Sequence, residues 1–112
     1  MDKKTYDKIK SITKSHDDLM QERLQNDEFQ YAWLRECIEN YVQDGDFAVF
    51  YRALDRVVKA RTTVSQLAKD LNMNRGNLSE ILNGKIEPKM QTAFKILKGL
   101  GYEITLTKKA SA

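Results

Sequence analysis

Residues 62–84 constrain the fold of this 112-residue chain more than any other segment, and their sequence is TTVSQLAKDLNMNRGNLSEILNG. Thr63 is a good N-cap residue, and Gln66 three positions later predicts a capping box at the start of a short helix. Asn72 is a residue type that tolerates the left-handed backbone of a tight turn. Asn74 then predicts the N-cap of a second short helix. The segment therefore predicts two short helices joined by a tight turn.

The apolar spacing within this segment favours two helices that cross closely. Ala68 is small at the point where the helices meet, and Leu78, Ile81 and Leu82 form one face of the second helix. A scaffold helix, a turn of three or four residues and a recognition helix make up the helix-turn-helix pattern of DNA-binding proteins. The alternative is an ordinary helical hairpin with no role in nucleic-acid binding.

The side chains predicted to face outward suit contact with DNA. Asparagine pairs with adenine and arginine with guanine through two hydrogen bonds each, and a glycine allows close approach of the backbone. The backbone N–H groups at a helix N-terminus favour a phosphate. The predicted DNA-binding residues are Ser65, Gln66, Asn74, Arg75, Gly76, Asn77, Ser79, Asn83 and Lys85.

Outside this segment the apolar residues recur mostly at helical spacing, which predicts an all-α bundle of five to six helices. One predicted core stripe consists of Met90, Ala93, Phe94, Leu97 and Leu100. We expect residues 1–26 to form a partly helical N-terminal arm and residues 27–46 an N-terminal helix. The helix-turn-helix domain is expected to span residues 47–101, followed by a short strand at 102–107 and a tail at 108–112.

The predicted strand rests on the alternation of apolar and polar residues in Tyr102-Glu103-Ile104-Thr105-Leu106-Thr107. A single strand leaves its backbone N–H and C=O groups unpaired, and the rest of the chain offers no second strand. We therefore expect the strand to pair with that of a second copy across a two-fold axis. The predicted dimerisation residues are Tyr102, Ile104 and Leu106.

Charge is distributed unevenly along the chain, although the net charge is only +3. Residues 15–46 carry nine acidic and two basic residues, whereas residues 47–112 carry twelve basic and five acidic residues. The basic part suggests a polyanion as partner, and the acidic part suggests a basic protein. The alternative is that both parts are ordinary solvated faces.

Several classes of protein are disfavoured by the composition. Cys37 is the only cysteine and His16 the only histidine, so a disulfide within the chain and a Cys- or His-based metal site are excluded. No apolar run approaches the roughly 20 residues needed to span a membrane, and no secretory signal is visible. No nucleophile–base pair or phosphate-binding glycine loop is evident. We expect a cytoplasmic protein that is not an enzyme and uses no cofactor.

A family resemblance rests on the order and spacing of six short motifs. They are Asp27-Glu28-Phe29, Gln43-Asp44-Gly45-Asp46, Phe47-x-x-Phe50-x-x-Ala53-Leu54, Val64-Ser65-Gln66-Leu67-Ala68, Asn77-Leu78-Ser79-Glu80-Ile81-Leu82-Asn83-Gly84 and Leu97-Lys98-Gly99-Leu100-Gly101-Tyr102. Residues 47–100 resemble the DNA-binding domain of Cro/cI-type phage repressors. Residues 27–107 resemble the HigA-like helix-turn-helix antitoxins, which are the antidote subunits of bacterial addiction modules.

The resemblance implies a protein that neutralises a small basic toxin of the RelE/ParE kind and represses its own operon by binding operator DNA as a dimer. It does not fix which segment binds the toxin. Our hypothesis is that the acidic N-terminal region does so through Leu19, Leu24, Phe29 and Trp33. The alternative function is that of a stand-alone repressor of phage or mobile-element origin, without a toxin partner.

Overall fold

The computed structural model describes residues 15–110 of the chain. This part is all-helical, as the sequence predicts, and it contains six helices. They are α1 (His16–Arg23), α2 (Asp27–Asp44), α3 (Phe47–Arg61), α4 (Val64–Asp70), α5 (Arg75–Leu82) and α6 (Met90–Gly99). Of the predicted N-terminal arm, residues 15–26 contain α1 and the turn to α2, whereas residues 1–14 lie outside the described part.

Side-chain caps define the starts of the first five helices. Each capping oxygen accepts a hydrogen bond from a backbone N–H in the first turn, which satisfies one of the donors that a helix N-terminus leaves unpaired. The caps are Ser15, Asn26, Asp46, Thr63 and Asn74. The predicted capping box at Thr63 is incomplete, because the amide of Gln66 donates to Asp70 Oδ1 at 2.8 Å, one turn further along α4.

Helix α3 lies at the centre of the hydrophobic core. Its buried residues pack against α2 and the α4–α5 pair, and the buried residues at the end of α6 belong to the same core cluster. The core side chains exposed by 4 % or less are Leu34, Phe50, Ala53, Leu54, Val57, Val58, Leu67, Ala68, Leu78, Ile81, Leu82, Ile96, Leu97 and Leu100. The inward faces predicted for α4 and α5 are therefore confirmed. The stripe predicted along α6 is buried only in its second half, because Met90 and Phe94 are exposed.

Helix α1 contributes no buried side chain and is held on α3 mainly by polar groups. The side-chain amide of Gln21 in α1 donates to the carbonyl oxygen of Arg56 at 3.3 Å. That of Gln25, just after α1, donates to the carbonyl oxygen of Ala60 at 3.2 Å. Arg56 also forms an ion pair of 2.7 Å with Asp17. Apolar anchoring comes just after the helix, where Leu24 is completely buried.

A buried glutamine joins three separate parts of the chain. Gln30 in α2 is 1 % exposed, and its Nε2 donates to the carbonyl of Leu24 at 2.8 Å. Its Oε1 accepts from Arg61 at the end of α3, at 2.9 Å, and from the hydroxyl of Tyr102, at 2.6 Å. The start of the C-terminal segment is thereby fixed to α2 and α3.

The C-terminal segment does not form the predicted strand in this structure. Residues 102–109 run without helix or strand pairing, because the described part of the chain contains no second strand to supply the partner N–H and C=O groups. Tyr102 is half-buried, Ile104 is 40 % exposed and Leu106 is fully exposed. Pairing with a second copy stays a prediction.

Candidate nucleic-acid interface and partner surface

The turn between α4 and α5 has the backbone conformation that the sequence predicts. Asn72 has a φ of +54°, in the left-handed region where asparagine is tolerated better than most residues. The backbone N–H of Met73 donates to the carbonyl of Ala68 at 2.8 Å, which closes the end of α4. The two helices therefore keep a fixed mutual orientation through a short, hydrogen-bonded turn.

Helix α6 approaches α4 closely because residue 99 has no side chain. A Cβ at Gly99 would lie 2.6 Å from Leu71 Cδ2 and 3.2 Å from Leu67 Cδ1. Both leucines belong to the apolar face of the α4 segment that packs into the core. Gly99 is thus required for the contact that supports α4 from behind.

The structure places the predicted DNA-binding residues at the N-termini of α4 and α5 and just beyond α5. All nine are exposed except Ser79, which is half-buried. Ser65 and Gln66 lie in the first turn of α4, and Asn74, Arg75, Gly76 and Asn77 begin α5. Asn83 and Lys85 follow the end of α5. Eight of the nine residues therefore come from two helix starts and one loop, and Ser79 lies in the middle of α5.

Some of these side chains are engaged locally and others are free. Asn74 Oδ1 accepts the backbone N–H of Asn77 at 3.0 Å, and the amide of Asn83 donates to Ser79 Oγ at 3.4 Å. Within residues 15–110, the side chains of Arg75 and Asn77 form no hydrogen bond or ion pair. Arg75 and Asn77 can therefore contact a ligand without breaking an existing interaction.

An aromatic cluster supports the loop that follows α5, and the sequence analysis missed it. Gly84 has a φ of +79°, and a Cβ at this position would overlap the ring of Tyr51 in α3. The hydroxyl of Tyr41 donates to the Glu87 carboxylate, and its ring stacks on Phe50 with centroids 4.7 Å apart. The hydrogen bond raises the pKa of Tyr41 above its ordinary value. These contacts join residues far apart in the chain, so no local pattern indicates them.

The predicted toxin-binding residues do not form one exposed surface. Leu19 in α1 is 42 % exposed, and Phe29 and Trp33 on α2 are half-buried. Leu24 lies in the turn after α1, where its side chain is completely buried and presents no surface to a partner in this conformation, so its role in toxin binding stays a prediction.

Two of the three predicted dimerisation residues, Tyr102 and Ile104, border an open groove of about 570 Å³ between α2, the end of α6 and the C-terminal segment, whereas Leu106 does not line it. Leu34 and Ile38 contribute apolar surface from α2, and Tyr102 and Ile104 from the opposite side. Arg35 and Glu39 lie on the same rim and pair with each other at 3.2 Å.

Residues 15–110 contain neither a candidate metal site nor a candidate membrane span. No group of three or more His, Cys, Asp or Glu side chains lies in an arrangement that could hold a metal ion. Within the same residues, no helix is both long enough and apolar enough to cross a bilayer.

Over residues 15–110, these features define a small all-helical protein with an exposed short helix pair and a C-terminal segment that pairs with no strand there. The family model described as "Probable addiction module antidote protein" matches residues 13–108. The match covers most of the chain, and the chain therefore belongs to this family of addiction-module antidotes. No curated protein and no solved structure gives a significant match.

Proposed function

We propose that the protein is the antitoxin of a type II toxin–antitoxin module, which neutralises a small basic toxin of the RelE/ParE kind and represses its own operon as a DNA-bound homodimer in the cytoplasm. The observation that carries the proposal is the match of residues 13–108 to the antidote family, since an antidote implies a toxin partner. The proposal of DNA binding rests on the exposed residues of the α4–α5 pair.

Exposure and residue type both support DNA binding by the α4–α5 pair. The first turns of α4 and α5 are exposed, and α5 presents Arg75 and Asn77 with unengaged side chains. These residue types read guanine and adenine in the major groove. One short recognition helix makes few contacts, so high affinity requires two copies, with recognition helices about 34 Å apart on a palindromic site.

Negative charge and exposed apolar area both support the proposed toxin-binding surface. Residues 15–46 carry nine acidic residues and are complementary to a basic partner. Leu19, Phe29 and Trp33 offer partly exposed apolar area within that acidic region. Long-range attraction would speed association, and the apolar contacts would slow dissociation.

Toxin binding is tested by co-expressing the chain with the neighbouring reading frame of its operon and purifying the complex. We expect a stoichiometric small basic protein and rescue of growth from its toxicity. The variant Leu19→Asp should weaken the complex, whereas Val42→Asp, at an exposed apolar position of the same acidic region that is not a predicted contact residue, should not. Equal binding by both variants would exclude α1 from the interface.

DNA binding is tested by titrating the protein against its own promoter fragment at several salt concentrations. We expect an affinity that falls steeply with salt, as phosphate contacts require, and that Arg75→Ala reduces by about 1–3 kcal/mol. Retention of promoter DNA without any toxin partner would identify the protein as a stand-alone repressor. Binding of toxin without DNA would identify an antidote that does not regulate transcription.

A further inference from the structure

A second groove, of about 450 Å³, lies between α1, α3 and the end of α5. It is lined by Asp17 and Gln21 of α1, by Tyr51, Arg52, Asp55, Arg56 and Lys59 of α3, and by Leu82 and Asn83 at the end of α5. Asn83 is one of the predicted DNA-binding residues, so the groove adjoins the proposed interface.

Among residues 15–110, every charged group that lines this groove is paired except one. Arg56 pairs with Asp17 at 2.7 Å, and Lys59 pairs with Asp55 at 2.8 Å. Arg52 is exposed and forms no ion pair within the described residues. Within that part of the chain, the groove therefore carries one cationic group that no carboxylate neutralises.

The position of Arg52 is supported by the aromatic contacts beneath it. Its guanidinium lies 5.9 Å from the centroid of the Tyr51 ring, within the range of a cation–π interaction. The Tyr51 ring packs against Gly84, at the start of the loop after α5. This succession of contacts holds the guanidinium beside the C-terminal end of the helix that would enter the major groove.

We propose that Arg52 binds a backbone phosphate of the DNA next to the segment read by α5, and that Asp17 opposes this contact. The inference rests on the proposed DNA-binding function and adds a phosphate-contacting residue outside the α4–α5 pair. Asp17 lies in the same groove and is ionised at neutral pH, since the Arg56 guanidinium holds the pKa of its carboxyl below the ordinary value. The negative charge of Asp17 repels a phosphate. Asp17 also forms an ion pair with Arg56, so that guanidinium is not available to bind a phosphate.

The test measures affinity for promoter DNA over a range of KCl concentrations with two variants of opposite sign. Arg52→Gln removes the phosphate contact, so the slope of log K against log salt should become shallower by about one, with an affinity loss of roughly tenfold at moderate salt. Arg52→Lys should keep most of the slope. Asp17→Asn removes the repulsion and frees Arg56, so its affinity should rise above that of the wild type.

Matched controls separate a local contact from a general effect of charge. Arg23→Gln and Glu36→Gln make the same changes of charge at exposed positions that line neither groove, and should leave the slope unchanged. Equal slopes for Arg52→Gln and the wild type would overturn the inference while leaving DNA binding by α5 intact. Equal effects of Arg52→Gln and Arg23→Gln would also overturn it. A wild-type protein that does not bind its promoter would overturn both this inference and the proposed repressor function.

Discussion

The hydroxyl of Tyr102 donates to the side-chain oxygen of Gln30 across 72 positions of the chain, at 2.6 Å. Gln30 is almost completely buried, and the same oxygen also accepts from Arg61. The ring of Tyr31 stacks on that of Tyr102, with the two centroids 6.3 Å apart. The start of the C-terminal segment is therefore fixed by a buried polar network.

Replacing Gln30 with leucine should destabilise the fold. The substitution leaves the Tyr102 hydroxyl, the Arg61 guanidinium and the Leu24 carbonyl without their common partner, at a cost of about 1–3 kcal/mol. Urea denaturation followed by circular dichroism measures the change in the free energy of unfolding. Gln43→Leu, on the exposed end of α2, is the matched control and should change stability little. Equal stability of the two variants would show that the network contributes nothing.

Alanine at Gly84 should be more destabilising than alanine at Gly45, although both glycines have a similar positive φ, of +79° and +70°. A Cβ at Gly45 has no heavy atom within 4 Å, so Gly45→Ala reports the backbone strain alone, about 1–2 kcal/mol. Gly84→Ala adds the overlap with the Tyr51 ring. Thermal melts of the two variants give the difference. Equal melting temperatures would mean that Tyr51 moves away without cost.

Alanine substitutions at Asn74 and Asn77 should distinguish a residue that caps α5 from one that only contacts DNA. Asn74→Ala removes the N-cap of α5 and should cost about 0.5–2 kcal/mol of stability. Asn77 contributes only its backbone N–H to that cap, so Asn77→Ala should leave stability nearly unchanged. Both variants should lose affinity for promoter DNA. A loss of stability in Asn77→Ala as large as in Asn74→Ala would contradict this division of roles.

Cys37 should react slowly with thiol reagents in the folded protein. Burial, followed by the charge of Glu36, raises the pKa of the thiol above its ordinary value, so less of the reactive thiolate is present near neutral pH. Because the pKa of the Cys37 thiol is raised in the folded state, the protonated thiol favours folding. This contribution to the free energy of unfolding is present below the unfolded pKa and is lost as pH rises through the folded pKa. The pH dependence of labelling by a disulfide reagent measures the shift, with the urea-unfolded chain as control. Identical profiles for the two states would refute the expectation.

Local signals in the sequence predicted the helix pair well. The N-caps at Thr63 and Asn74 and the left-handed Asn72 depend on neighbours within four residues, and the structure has all three. The inward faces of α4 and α5 follow from periodicity, because a short amphipathic helix has only one face to bury.

Features that depend on distant parts of the chain could not be predicted in the same way. Periodicity marked Met90 and Phe94 as core residues, but no element of the described chain buries these two side chains. Alternation at 102–107 predicted a strand, although a strand forms only where a second one is available. Gln30 gave no signal, because a glutamine on a helix is usually exposed and its three partners come from other segments.

The attachment of α1 to α3 has a consequence for how the chain opens. An eight-residue helix is marginal by itself, and α1 buries no side chain, so its Gln21 contact and its ion pair with Arg56 can break while the core around α3 stays closed. Residues 16–23 therefore open at a lower free energy than the rest of the bundle. A protein that displaced α1 would not have to unfold the bundle.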